Sequence, residues 1–196
     1  MKVAILKYNA GNATSVFYAL KRLGVTASIT DDAEELLSAD KVIFPGVGEA
    51  SSAMRYLRER NLDEAIRSLR QPVLGICLGM QLMCSFSDEN ETQCLGMFPY
   101  RVRRFEGSNG LKVPHIGWNT VDPLRTSRLF KGMNGAPHMY FVHGYHVDAR
   151  ADATAVCDYG GSFAAAIESG NFYAVQFHPE RSAAAGEGVL RNFLEL

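Results

Sequence analysis

Gly75-Ile76-Cys77-Leu78-Gly79 sets a cysteine between two glycines, directly after the apolar run Val73 to Ile76. The pattern is Gly-x-nucleophile-x-Gly with a thiol in place of the hydroxyl, at a strand-to-helix junction. The glycines answer a steric need. A tight turn forces the nucleophile into strained dihedrals, and side chains two residues either way would meet neighbouring backbone. A helix beginning near Met80 sets the thiol over backbone N–H groups and the positive end of a helix dipole, both of which favour an anion. A free thiol titrates near pH 8.5, so a cysteine nucleophile at neutral pH needs such help. The plain alternative is a small buried apolar residue. That role suits Cys84, Cys94 and Cys157, whereas flanking glycines and a preceding strand set Cys77 apart.

A thiol nucleophile calls for a base. His178 follows an apolar run over residues 172–177, in Gln176-Phe177-His178-Pro179-Glu180. A residue at the carboxyl end of a strand in an open α/β sheet lies on the same rim as a nucleophile elbow. Pro179 stiffens the next turn, so that Glu180 reaches back to orient the imidazole and stabilise its protonated form, giving a Cys77-His178-Glu180 triad. His115, His138, His143 and His146 show no acidic residue at that spacing and read as packing or interface residues. An oxyanion needs donors as well. The turn Pro45-Gly46-Val47-Gly48 offers the N–H of Val47 or Gly48, opposite the N–H of Leu78 beside the nucleophile. A turn able to flip between two arrangements would switch such a site on and off.

These residues need a scaffold whose strand ends converge. Residues 3–6, 25–29, 41–44 and 73–76 read as short buried strands, alternating with helical spacing over 12–23 and a long helix over 49–69. Beyond residue 92 the rhythm becomes strands and turns, with strands expected over 94–105, 138–147, 153–157, 163–167 and 172–177 and a last helix from about 187. The expectation is one α/β domain over 1–196: a flavodoxin-like, open, mostly parallel sheet with flanking helices and added antiparallel strands.

The 196 residues are 47% apolar with net charge −1, enough for a substantial core and far from the basic surface that nucleic acid demands. Arg101, Arg103 and Arg104 read as a solvated strand face. The four cysteines form no Cys-x-x-Cys pair and stand beside no histidine cluster, so neither a metal nor another cofactor is expected. Lys7 closes the first apolar run well short of a signal peptide, and no membrane-length stretch follows. The expected setting is the reducing cytoplasm, with free thiols and no membrane contact.

By itself the pentapeptide around Cys77 does not separate a glutaminase from an esterase or a peptidase. Joined to Gln176-Phe177-His178-Pro179-Glu180, however, Gly75-Ile76-Cys77-Leu78-Gly79-Met80-Gln81 resembles the class I, or triad, glutamine amidotransferases. Tyr8-Asn9-Ala10-Gly11-Asn12, Pro45-Gly46-Val47-Gly48 and Pro114-His115-Ile116-Gly117-Trp118-Asn119 narrow the resemblance to the glutaminase subunit of imidazole glycerol phosphate synthase. That resemblance implies attack of Cys77 on the carboxamide of L-glutamine and a γ-glutamyl thioester. It implies that Gly46, Gln81, Glu89, Gly144 and Tyr145 hold the amino-acid end of the substrate. It also implies a heterodimer with a (β/α)8-barrel cyclase subunit that receives the ammonia, with Asn12, Trp118 and Arg181 on the docking face. Gly144 stands where relatives commonly carry Ser or Thr, which leaves a backbone contact there.

Overall fold

A computed structural model describes residues 1–9, 11–107, 110–124, 127–149 and 153–196. Ala10, within the expected docking segment, lies outside the described residues. The first half runs β1 (Val3–Leu6), α1 (Ala13–Arg22), β2 (Ala27–Thr30), α2 (Ala33–Leu37), β3 (Lys41–Phe44), α3 (Ala50–Glu59), α4 (Leu62–Ser68), β4 (Val73–Ile76) and α5 (Leu78–Met83). The second half adds β5 (Cys84–Ser87), β6 (Thr92–Gln93), β7 (Phe98–Arg104), β8 (His115–Thr120), β9 (Asp122–Pro123), β10 (His138–His143), β11 (Tyr145–Val147), β12 (Ala153–Asp158), β13 (Ser162–Ser169), β14 (Phe172–Val175) and α6 (Ala183–Leu194). Short 3₁₀ turns span Glu89–Glu91 and Pro179–Arg181.

The main sheet has eight strands in the order β2-β1-β3-β4-β14-β13-β12-β9. From β2 to β14 the neighbours are parallel, and from β14 outwards they are antiparallel. This is the flavodoxin-like order with an antiparallel extension, as expected. β1, β3 and β4 are buried along their whole length, which is why they read as unbroken apolar runs rather than alternating ones. Alternate residues of β1 serve opposite faces. Ala4 and Leu6 join the core under α2, α3, α4 and α5, and Val3 and Ile5 join the core under α1 and α6. Two smaller sheets, β10-β8 and β11-β7-β5-β6, flank the main one.

The structure departs from the expected elements at several points. The long helix over 49–69 is two helices, because Asn61 adopts a left-handed φ of 55° between α3 and α4. Asparagine enters that region more easily than most residues, and one such residue ends an α-helix. The helix after Cys77 starts at Leu78, nearer the thiol than Met80. The strand expected over 138–147 is divided at Gly144 into β10 and β11, and the one over 94–105 begins only at Phe98. The last helix begins at Ala183 rather than near 187. Five elements carried too weak a pattern to be expected: α2, started by the Asp32 side chain accepting from the N–H groups of Glu34 and Glu35, together with β5, β6, β8 and β9. Arg101, Arg103 and Arg104 are exposed on β7, as a solvated face requires.

The elbow depends on backbone contact. A Cβ on Gly79 would lie 1.9 Å from the carbonyl oxygen of Phe44 at the end of β3. Gly79→Ala therefore has to push α5 away from β3, and overpacking of this kind costs about 1–3 kcal/mol. The expected result is a lower urea midpoint with an unchanged m-value, and an unaltered midpoint would show that β3 and α5 are not held this closely.

Candidate active site

Cys77 occupies the strained position expected of an elbow, with φ 51° and ψ −106°. Its N–H donates to the carbonyl of Val175 at the end of β14 (2.8 Å), and its carbonyl accepts from Gln81 in the first turn of α5 (3.2 Å). A side chain at Gly75 would meet the Met80 nitrogen at 3.0 Å, so the strain can be housed only between glycines.

His178 sits at the carboxyl end of β14, one strand from Cys77. Its N–H donates to the Tyr140 carbonyl on β10 (2.9 Å), and its carbonyl accepts from the Ser182 hydroxyl (2.6 Å). Pro179 opens the 3₁₀ turn that carries Glu180 back under the ring, where Glu180 Oε1 stands 2.7 Å from His178 Nδ1. Both side chains are fully shielded from solvent. A carboxylate accepts only, so Nδ1 carries a proton and Nε2 is the atom free to exchange one. Burial alone would push the His178 pKa down. The negative charges of Cys77 and Glu180 outweigh burial and raise the pKa to about 10. Nε2 is buried and has no hydrogen-bond partner among the described residues. The arrangement sets the Cys77 sulfur near an imidazole that a buried carboxylate orients and keeps protonated.

Seven of the other expected site residues, Val47, Gly48, Leu78, Gln81, Glu89, Gly144 and Tyr145, line one cleft of about 260 Å³ together with Cys77, whereas Gly46, His178 and Glu180 are not among its lining residues. A cleft of like size beside Arg103 and Tyr159 contains none of the triad. Glu89 is half-buried. Burial raises its pKa against the opposing effect of the Ala50 N–H, which donates to Oε2 at 2.7 Å. Gly46 lies at the back of the turn. A Cβ there would stand 2.0 Å from the Tyr8 hydroxyl, which donates to the Pro45 carbonyl at 2.6 Å. Tyr8 thus braces the glycine turn, a role that no local pattern in the sequence announces. The Leu78 N–H donates to the Gly46 carbonyl at 3.3 Å, and the Val47 carbonyl accepts from the Gly11 N–H at 3.2 Å. The donor beside the nucleophile is therefore engaged within the turn.

Two of the residues named for docking stand at the surface. Trp118 is 53% exposed, beside Ile116 at 61%, and its ring lies edge-on to Tyr140 at 6.0 Å. The Arg181 guanidinium covers the other part of that ring at 4.5 Å. Asn12 is instead drawn to the triad. Its Nδ2 donates to Glu180 Oε1 and lies 3.3 Å from His178 Nδ1, a contact rather than a hydrogen bond because Nδ1 is itself a donor. His146 corrects the sequence reading of the other histidines. Asp148 follows it by two residues, the same spacing as Glu180 after His178, and the two side chains meet at 3.4 Å. They lie on the cleft beside Arg103, away from Cys77. Cys84, Cys94 and Cys157 are buried apolar residues, and burial pushes the Cys94 and Cys157 thiols up to about 12. Among the described residues no group of His, Cys, Asp and Glu could hold a metal, and no helix is long and apolar enough to cross a membrane.

The raised pKa of His178 sets a stability window. The folded value lies above the ordinary histidine value of about 6.5, so the stabilisation by the imidazolium is fully present below about pH 6.5 and is lost as pH rises through about 10. The urea-midpoint advantage of the wild type over His178→Asn should be flat in mild acid and shrink steadily between those limits. An advantage that grows with pH would mean that the folded state holds His178 neutral.

Residues 5–196 match the family model of glutamine amidotransferase class-I. The chain is 57% identical over its full length to the imidazole glycerol phosphate synthase subunit HisH of Bacteroides fragilis, all of which it covers. It is 47% identical to the subunit of the same name from Xanthomonas campestris pv. campestris, over 99% of this chain and 97% of that one. Among solved structures it is similar to a glutamine amidotransferase (TM-score 0.74, 23% identity, 98% of this chain and 97% of that one). It is also similar to PurLQS from Thermotoga maritima (TM-score 0.74, 20% identity, 99% and 97%). With the fold, the elbow and the full-length match in agreement, the chain belongs to the class I glutamine amidotransferases, in the branch of the HisH subunits.

Proposed function

We propose that this chain is the glutaminase subunit of an imidazole glycerol phosphate synthase, working in the cytoplasm as a heterodimer with a (β/α)8-barrel cyclase. The observation that carries the reading is the buried His178–Glu180 pair at the end of the strand adjoining Cys77. Glutamine enters the cleft with its carboxamide at Cys77 and its amino-acid end toward Gly46, Gln81, Glu89, Gly144 and Tyr145. The Glu89 carboxylate suits an ammonium, and the Tyr145 and Gly144 backbone supplies polar groups beside it. The thiolate of Cys77 attacks the carboxamide carbon, forming a C–S bond and an oxyanion that faces the N–H groups of Leu78 and of the Val47–Gly48 turn. As the intermediate collapses the C–N bond breaks, and the His178 imidazolium gives its proton to the departing nitrogen, releasing ammonia and leaving a γ-glutamyl thioester. Neutral His178 then takes a proton from water as the water attacks. The second collapse expels the thiolate, and glutamate leaves.

Ammonia passes to the cyclase, which makes imidazole glycerol phosphate and aminoimidazole carboxamide ribotide. The exposed apolar pair Ile116 and Trp118, next to Arg181, supports a protein partner on this face. Asn12, bonded to Glu180 and close to that face, gives a partner a route to the triad. The engaged Leu78 N–H supports a gated enzyme, because the glycine turn has to move before that donor is free.

Cys77→Ser is expected to reduce glutamate release from glutamine by about a thousandfold or more with the fold retained, and undiminished release would end the proposal. The wild-type chain alone is expected to hydrolyse glutamine slowly. Adding the cyclase and its nucleotide should raise the rate by about a hundredfold or more, the worth of one oxyanion donor. Full activity in the isolated chain would remove the gating role of the turn. Asn12→Ala takes one donor from the Glu180 carboxylate, an interaction of about 1.5–3 kcal/mol, so kcat in the complex should drop at least about tenfold. A kcat unchanged in a folded Asn12→Ala complex would make that contact incidental.

A further inference from the structure

Outside the triad, a file of buried polar groups ends on the nucleophile. Gln176 is fully buried and directs Nε2 at Cys77 Sγ, 3.5 Å away. Its Oε1 accepts from Gln81 Nε2 at 3.1 Å, and the same Gln81 nitrogen donates to the backbone carbonyl of Tyr145 at 3.0 Å. A carbonyl can only accept, so the Tyr145 oxygen decides which end of the Gln81 amide faces it. The second N–H of that nitrogen then requires an oxygen from Gln176, which leaves the Gln176 nitrogen, a donor, against the sulfur.

The Tyr145 oxygen is itself held. His143 Nδ1 lies 2.7 Å from it and must carry the proton, leaving His143 Nε2 to accept from His115 Nδ1 at 3.2 Å. His115 Nε2 in turn faces Asn119 Nδ2 at 3.5 Å. Burial lowers the pKa of His115 to about 4 and that of His143 to about 3. With one proton on each ring, donors and acceptors match from Asn119 to the sulfur. A second proton on either ring would set two N–H groups against each other.

We propose that Gln176 is a positioning residue for the nucleophile: its amide N–H holds Cys77 Sγ and favours the thiolate, and the Asn119-His115-His143 file fixes its direction through the Tyr145 carbonyl and Gln81. The inference rests on the reading of Cys77 as the glutaminase nucleophile. A hydrogen bond donated to a group favours its charged form, and here it comes from a neutral amide. The titratable groups around Cys77 are His178 beyond β14, Tyr8 beyond β1, His143 of β10 and Glu89 across the cleft. Replacing Gln176 with an apolar residue therefore removes a donor without changing any charge in the site.

The test is the rate of Cys77 alkylation by iodoacetamide on the full chain between pH 5 and 10, with Cys77→Ser as the blank. In Gln176→Leu the rate at pH 7 is expected to fall about tenfold, as for loss of one hydrogen bond to a charged group, and the rise of rate with pH to move to more alkaline pH. In Gln176→Glu, which keeps the shape but turns an oxygen to the sulfur, both changes should be larger. For glutamate release with the partner, kcat should drop while KM stays within about twofold. An alkylation profile unmoved in a folded Gln176→Leu or Gln176→Glu protein overturns the proposal. Should neither variant fold, the side-chain amide of Gln176 is followed by ¹⁵N NMR in the wild type. A shift of that resonance on alkylation of Cys77 upholds the contact, and an indifferent resonance overturns it. A wild-type Cys77 that resists alkylation throughout overturns this inference together with the glutaminase reading, whereas a reactive Cys77 indifferent to Gln176 overturns this inference alone.

Discussion

The pairing of β4 with β14 is the constraint on which the site depends. Their parallel register sets Val175 beside Ile76, so both strands end on one rim and release Cys77 and His178 there within a few residues of each other. The Cys77 N–H is tied to the Val175 carbonyl itself, so Cys77 is anchored to the strand that delivers His178. β3 ends on the same rim with the glycine turn, and β1 ends there with Tyr8 and Asn12. A slip of one residue between β4 and β14 would turn every side chain of one strand to the opposite face and separate thiol from imidazole.

Holding an ion pair in this dry place is costly, and the surrounding structure offsets the cost. Burial by itself opposes the charge on His178, and an unpaired buried charge is strongly destabilising. Glu180 answers it at 2.7 Å, Asn12 donates to the same carboxylate oxygen, and the backbone of His178 is fastened to β10 and to Ser182. The strained dihedrals of Cys77 cost about 1–3 kcal/mol more, and they persist because the strand before and the helix after are both fully packed. Phe141, Phe163 and Phe177 pack edge to face in the same apolar cluster as Cys77.

The segment from Pro114 to Asn119 serves two surfaces at once, which follows from the alternation of β8. Ile116 and Trp118 face outward, whereas His115 is buried against His143 in the cluster around Phe105 and Phe163. One strand therefore joins an exposed apolar face to the polar file that ends on Cys77. Period-two alternation of this kind lets neighbouring residues in a short motif do unrelated work.

The sequence by itself determined the elbow around Cys77, the turn after His178 and the alternating strands and helices of the first half, because each rests on local physics: glycines around an elbow, a proline-stiffened turn, unbroken apolar runs for strands covered on both faces. β1, β3 and β4 match the expected limits to the residue for that reason. Tertiary structure alone decided what depends on distant partners. Asn61 splits a helix whose apolar spacing runs straight through the break, and β5 and β8 draw their order from strands that follow them, β6 and β7 for the one and β10 for the other. Asn12 reaches Glu180 across 168 positions of sequence, and Gln176 reaches Cys77 across 99. No short-range pattern encodes such contacts, since a side-chain amide acquires a direction only when the fold sets a fixed donor or acceptor in front of it.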